Sequence, residues 1–369
     1  MRFPEFSGEW ERDSLMNIAS ISKGSGISKE QLSDSGLPCI LYGELYTKYK
    51  SEVITDIYSK TDIETKGLVS SMANDVIIPC SGEAAIEIAT ARCVPMSNIL
   101  LGGDLNIIRL NGHDGRFFAY QLNGKRKIDI AKVAQGVSVV HLYGEHLKKI
   151  NVVYPSFAEQ NKIAQLLSLI DERIVTQNKI IEKLESLIKG IYDKTFANFS
   201  KYLALSSICK IQKGQQVNGE ELSEFGEYYV MNGGIEPSGY YDKYNTMPNT
   251  ISISEGGNSC GYIQFNTVPF WSGGHCYTLQ GISTEYNTHF VYHYLKSKEK
   301  EIMALRIGSG LPNIQKKDLE KYLIPVLSLE TQKSIVNGIN KIETKLKHEK
   351  DILSAYQTQK AYLLRNLFI

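Results

Sequence analysis

No run of eighteen consecutive apolar residues occurs in this 369-residue sequence, so no membrane-spanning helix is expected. The start, Met1-Arg2-Phe3-Pro4-Glu5-Phe6, places no apolar stretch behind its positive charge, which argues against a secretory leader. The six cysteines (Cys39, Cys80, Cys93, Cys209, Cys260 and Cys276) lie far apart without a CxxC pair. They read as free thiols of a cytoplasmic protein, zinc ligation being the weaker alternative. GxxxxGK[ST] is absent, which excludes a P-loop motor, and so are an Asn-Pro-Pro-aromatic tetrapeptide and a Pro-Asp…Glu-x-Lys nuclease cluster. Of the seven histidines, His289 and His293 share a helical spacing but lack the glutamate of a zinc-protease motif. No catalytic residue, metal or cofactor is therefore assigned.

An excess of charge is lacking too. The net charge is +1, with 42% hydrophobic and 22% charged residues, the balance of a soluble globular chain. Residues 1–154 hold 17 Lys+Arg against 18 Asp+Glu, and residues 201–325 hold 11 against 12. Charge alone does not suggest a nucleic-acid binder, because such proteins are usually basic.

What the sequence does contain is a repeat. Residues 147–160 read LKKINVVYPSFAEQ and residues 319–332 read LEKYLIPVLSLETQ. The same offset of 172 relates Gly136 to Gly308, Ile163 to Ile335, Ile170 to Ile342 and Phe196 to Phe368. Earlier in each half the offset is 190: Ile18, Lys23-Gly24, Leu32-Ser33, Gly36 and Gly43 match Ile208, Lys213-Gly214, Leu222-Ser223, Gly226 and Gly233. The change of offset places a longer insertion in the first half, between Leu45 and Asp75. The chain is a duplication: lobe, helix, lobe, helix.

The helices follow from spacing. Ile163, Leu167, Ile170, Ile174, Ile181, Leu184, Ile188 and Ile191 form a heptad seam, and Ile335, Ile339, Ile342, Leu346, Leu353, Tyr356, Leu363 and Leu367 form its counterpart. Gln177 and Glu349 break the two seams near mid-helix; they either fix a register or mark a wetter centre. Ser156 with Glu159 predicts a capping box after Pro155, and Ser328 with Glu330 a similar start. Each helix spans about forty residues, roughly 60 Å. Their length and narrow stripes predict mutual antiparallel pairing, because an intervening lobe must return the chain. The predicted organisation is α+β: two similar mixed α/β lobes (1–154 and 198–326) and two long helices (155–197 and 327–369) related by an internal pseudo-two-fold repeat.

Each lobe shows strand-then-glycine patterning. Asp75–Cys80 runs into Ser81-Gly82-Glu83, and Thr250–Ser254 runs into Glu255-Gly256-Gly257-Asn258. The densest basic run in the first lobe is Lys125-Arg126-Lys127, with Lys132 nearby. Lys23 and Lys213 precede glycines in matching loops. Candidate contacts to a polyanion are therefore Lys23, Ser81, Gly82, Lys125, Arg126, Lys127, Lys213, Gly256, Gly257 and Asn258; the plain reading of each is a solvated turn.

Duplicated lobes, with each helix introduced by a hydrophobic segment that contains a proline and ends in glutamine (Val152–Gln160, Pro155 with four residues between; Ile324–Gln332, Pro325 with six), resemble the specificity subunit of type I restriction–modification systems. The stretch GSGLPNIQKKDL at 308–319 strengthens the resemblance; His141 and Tyr143 depart from the Asn313 and Gln315 of the second copy. The resemblance implies two target-recognition domains that each read half of a bipartite, asymmetric site on double-stranded DNA. It implies paired helices that act as a spacer and hold two methyltransferase subunits, joined by restriction subunits in the full complex. A coil of roughly 60 Å corresponds to about 15–18 base pairs. Phosphate contacts supplied by the methyltransferases would account for the neutral charge. Two other readings stay open: a coiled-coil adaptor that reads no DNA, and a hydrolase using Cys276 beside His275.

Overall fold

The computed structural model describes residues 2–308 and 310–368; Ser309, in the stretch just compared, lies outside them. The chain forms two compact units, Met1–Lys179 with Asp351–Ile369, and Ile180–Lys350. The first contains an antiparallel sheet of β1 (Ala19–Lys23), β2 (Asp75–Pro79), β3 (Arg92–Val94) and β4 (Leu105–Leu110), in the order β1-β4-β2-β3. The second contains β5 (Lys210–Lys213), β6 (Thr250–Ser254), β7 (Ile263–Asn266) and β8 (Cys276–Gln280), in the order β5-β8-β6-β7. Order and direction are the same, so the sequence repeat is a repeat of topology. Each lobe is also closed by a short antiparallel pair, Glu11–Ser14 with Asn151–Tyr154 and Tyr202–Ala204 with Leu323–Pro325.

The central strands differ in a way their sequences explain. β2 reads DVIIP and is buried throughout. Val76 and Ile78 join a core with Phe117 and Phe118, while Ile77 joins a second with Ile40, Leu45, Tyr49 and Ile54. Tyr49 and Ile54 belong to the longer insertion of the first half, so the insertion supplies the extra apolar cover. β6 reads TISIS. Ile251 and Ile253 face a core with Phe290 and Leu295. Its alternate residues are buried but bonded: Ser254 Oγ donates to the Gly233 carbonyl (2.9 Å), and Ser252 Oγ accepts from Asn266 Nδ2 (2.9 Å). The apolar layer over this face is smaller, Met231, Phe270 and Cys276, and hydroxyls stand where the first lobe has isoleucine.

Two long helices follow the lobes, α1 (Phe157–Thr195) and α2 (Leu329–Asn366). Each begins in one unit and ends in the other. Within the first unit Ile163, Leu167 and Ile170 share a core with Leu363 and Leu367, and Asp171 meets Lys360 at 2.5 Å. Within the second, Glu185 pairs with Lys350 (2.7 Å) and Tyr192 with Glu343 (3.3 Å). Partner numbers fall as α1 numbers rise, so the segments run antiparallel in each unit. The named seam positions of both helices are buried or half-buried, Gln177 included; Glu349 accepts a hydrogen bond from Lys345 one turn earlier (3.0 Å).

The glutamine that ends each helix-introducing segment has the same task in both halves. Gln160 Oε1 accepts from the Asp114 N–H (3.0 Å) and its Nε2 donates to the Pro155 carbonyl (2.9 Å). Gln332 does so with Asn287 (2.8 Å) and Leu327 (3.0 Å). Asp114 and Asn287 are themselves the N-caps of lobe helices Gly115–Asn123 and Thr288–Ser297. Each buried glutamine thus latches a long helix to its lobe. Gln332→Leu strips partners from three part-buried backbone groups, those of Asn287, Glu285 and Leu327, and is expected to cost about 1–3 kcal/mol, read by urea unfolding.

α1 starts where the sequence predicts, Phe157 directly after Ser156, but the capping-box role of Glu159 is corrected. Both carboxylate oxygens of Glu159 engage Arg2 (2.8 and 2.7 Å), across 157 residues, so its role is to anchor the N-terminal segment. At α2, Ser328 Oγ accepts from the Thr331 N–H (3.2 Å), so Ser328 caps with Thr331 rather than with Glu330.

A buried ion cluster closes the first unit. Lys360 of α2 lies 2.5 Å from both Glu52 and Asp171, and Tyr120 Oη donates to Asp171 (2.8 Å). Burial alone would lower the Lys360 pKa; the two carboxylates outweigh it and raise it, keeping the ammonium charged.

Candidate nucleic-acid interface

Lys23 and Lys213 end the equivalent strands β1 and β5, opposite Asn106 and Tyr277. Those partners tie down equivalent loops: Asn106 Nδ2 donates to the Leu142 carbonyl (2.9 Å), and Tyr277 Oη to that of Ile314 (3.3 Å). The glycines after the two lysines are forced by proximity. A Cβ on Gly24 would sit 2.0 Å from the Gly102 carbonyl oxygen, and one on Gly214 2.2 Å from that of Gly273. The Lys-Gly pair is therefore a built corner presenting the lysine at the sheet end.

In the second unit this corner borders a cavity of about 480 Å³ lined by Lys213, Gly233, Glu255, Gly256, Gly257, His275, Pro312 and Asn313, among others. Lys213 Nζ donates to Glu255 Oε1 (2.6 Å), and Tyr277 Oη donates to the same oxygen (2.9 Å). Oε2 is buried without a hydrogen bond, facing His275 Nδ1 at 3.6 Å. Gly257 takes a left-handed φ of +82° and donates to the Pro312 carbonyl (3.0 Å), leaving Asn258 exposed beside it. The sequence-predicted Lys213, Gly256 and Gly257 are thus gathered at one opening. Glu255 and His275 were not among the predicted contacts. The available signal was a charged residue ending a fully buried strand just before two glycines.

The first unit places Lys23 at the same point with different neighbours. The Cys80 N–H donates to the Asp104 carbonyl (2.6 Å) and the Leu142 N–H to that of Cys80 (2.7 Å); the matching bonds run from Glu255 to His275 (2.9 Å) and from Ile314 to Glu255 (2.8 Å). Cys80 therefore occupies the place of Glu255, and Asp104 that of His275. Ser81 and Gly82 are not an open loop, as the sequence suggested, but a short strand paired with Val140 and His141. Ser81 is buried with its Oγ 3.1 Å from Asp104 Oδ2, and the space over Gly82 is filled by Ile88.

The basic run 125–127 is corrected as well. Lys125 is exposed, but Arg126 is half-buried against Asp129 (3.5 Å) and Lys127 reaches Thr90 Oγ1 (3.4 Å). Burial, with Arg92 nearby, lowers the Lys127 pKa. The adjoining Gly124 abuts Leu364 of α2, so the run belongs to the lobe–helix junction.

Nucleophile chemistry at Cys276 is not supported. Its thiol is 1% exposed in a core with Met231 and Phe270, and burial pushes its pKa up to about 11. His275 lies on the other face of the strand, against Glu255. His293 is a buried core histidine, 2.9 Å from Tyr192 Oη and 3.0 Å from Asn340 Oδ1, and burial drives its pKa down to about 4. No group of three His, Cys, Asp or Glu residues able to hold a metal occurs among the described residues, and no helix there is long and apolar enough to cross a membrane.

Two similar lobes with unlike strand-end clusters, each latched to a long helix, define a duplicated recognition scaffold. The family model of the type I restriction modification DNA specificity domain matches residues 7–186 and 200–355, and the chain belongs to this family of non-catalytic specificity subunits. It is 31% identical over 176 residues to a chain described as a type I specificity subunit of Mycoplasma pneumoniae, covering 47% of this chain and 46% of that one. The chain thus spans about half the length of that relative. It is 24% identical over 360 residues to the MjaVIII specificity subunit of Methanocaldococcus jannaschii, covering 85% and 83%. Its fold is that of the S subunit of a type I restriction-modification system from M. genitalium, with a TM-score of 0.73 at 21% identity over 98% and 96% of the two chains.

Proposed function

We propose that this chain is a cytoplasmic specificity subunit whose lobes, residues 1–154 and 198–326, each read one half of a bipartite, asymmetric DNA site. The observation that carries the reading is the equivalence of the two lysine corners set in unlike surroundings. One fold repeated supplies two reading heads; Glu255 and His275 against Cys80 and Asp104 make them read different bases. The contact set is Lys23 in the first lobe and Lys213, Gly256, Gly257 and Asn258 in the second, with Lys125 as a phosphate contact. The heptad helices (155–197 and 327–369) act as the spacer between half-sites and as the seat for two methyltransferase subunits, with restriction subunits added in the full complex. No catalytic step is assigned to this chain; methyl transfer belongs to its partners. Supporting this, a structure described as the assembly and conformational transition of the type I R-M system shares the fold at a TM-score of 0.59.

The experiment is co-expression with the neighbouring methyltransferase subunit and mapping of methylated adenines across the host genome. The expected result is one bipartite motif with a fixed gap, lost on deletion of either lobe. Methylation without a motif, or a stable complex that methylates nothing, would favour an adaptor.

A further inference from the structure

We infer that Lys213 and His275 form a two-donor fork, set by Glu255, that reads a guanine in the half-site of the second lobe. The inference rests on the function proposed above and adds the base and the residues that choose it. Guanine is the base that offers two adjacent acceptors, N7 and O6, in the major groove. The fork matches that pattern. Lys213 is 52% exposed and His275 63% exposed at the opening of one cavity, and both converge on one carboxylate that is only 11% exposed.

The carboxylate is half used. Oε1 holds Lys213 and Tyr277, whereas Oε2 is buried with no hydrogen bond. A buried carboxylate oxygen left unpaired is costly, and His275 Nδ1 stands 3.6 Å from it. With Nδ1 turned inward to Oε2, His275 presents Nε2 outward beside the Lys213 ammonium. Lys213 and Glu255 are the charged groups that line the cavity with it. Glu255 is a positioning residue: it orients both donors and touches no base.

The first lobe supplies the contrast. At the equivalent places it keeps the lysine (Lys23) but has Cys80 for Glu255 and an exposed Asp104 for His275. A donor there stands beside an acceptor. That pattern fits a base pair presenting an exocyclic amine next to a carbonyl better than the two acceptors of guanine. The two lobes therefore read different bases at corresponding positions.

The test uses the full chain in complex with its methyltransferase subunit. Methylated motifs are mapped for the wild type, His275→Asp and Asp104→His; both side chains are exposed, and the yield of folded complex is measured for each, since Asp104 has a left-handed φ of +57°. His275→Asp is expected to abolish a guanine preference at one position of one half-site, by roughly ten- to hundred-fold, leaving the other half-site intact. Asp104→His is expected to alter one position of the opposite half-site only. Duplexes carrying 7-deazaguanine at the assigned position should be methylated more slowly by the wild type and no more slowly by His275→Asp. A wild-type motif that both variants leave unchanged, even at reduced rate, overturns the guanine fork alone. A wild type that yields no bipartite motif overturns the fork together with the function beneath it.

Discussion

Replacing Lys360 by methionine is expected to destabilise the first unit by about 3–5 kcal/mol, because it removes the ammonium that the buried Glu52 and Asp171 carboxylates both contact. Both acids and the lysine are largely withdrawn from water, so solvent cannot take over the lost role. The triple change Lys360→Met, Glu52→Gln, Asp171→Asn removes the three charges in contact and keeps an acceptor for Tyr120, while buried Arg92 keeps its hydrogen bonds to the Leu45 and Tyr49 carbonyls. It should recover most of the loss, since a buried ion pair roughly breaks even against neutral groups of similar volume. Urea unfolding of the three proteins, followed by a signal specific to the first unit, decides the matter. A loss below 1 kcal/mol in the single variant would mean that water reaches the cluster.

Acidification from pH 6.5 to 4 is expected to weaken the second unit by about 3 kcal/mol through His293 alone, at about 1.4 kcal/mol per pH unit. The sign follows from linkage. The folded-state pKa, about 4, lies below the ordinary 6.5, so the unfolded chain binds more protons between those values. The stability contribution is fully present above pH 6.5 and is lost as pH falls towards 4. Protonation must break a specific arrangement, because the ring sits between Tyr192 and Asn340 and is 1% exposed. His293→Gln should flatten the difference in stability between pH 6.5 and 4. Equal pH slopes in both proteins would remove His293 as the source.

The repeat, the long helices and the strand-then-glycine patterns were legible because each is a local signal: a spacing, a heptad or a run of β-branched residues. What escaped depends on pairing across the sheet. Glu255 and His275 are twenty residues apart in sequence, and antiparallel β6 and β8 bring them together. Ser81 and Gly82 looked like an open loop because nothing local reveals that Val140 and His141 pair with them. Lys125-Arg126-Lys127 was chosen on charge count, and charge count does not register that α2 comes to lie against it. The motif glutamines were visible as letters, yet their purpose needed Asp114 and Asn287, each about 45 residues upstream.

The division of the chain into units also sets an order of assembly. The second unit is one continuous segment, whereas the first is interrupted and takes its last pieces from residues 351–368. Leu363, Leu367 and Phe368 fill the same core as Phe117, and Lys360 completes the buried cluster. On a ribosome the first lobe emerges early but waits, its apolar interior unclosed, while the second is synthesised and can fold within its own contiguous span. The lobe made first is the lobe finished last, and until the final turns of α2 emerge it is exposed to chaperones and proteases.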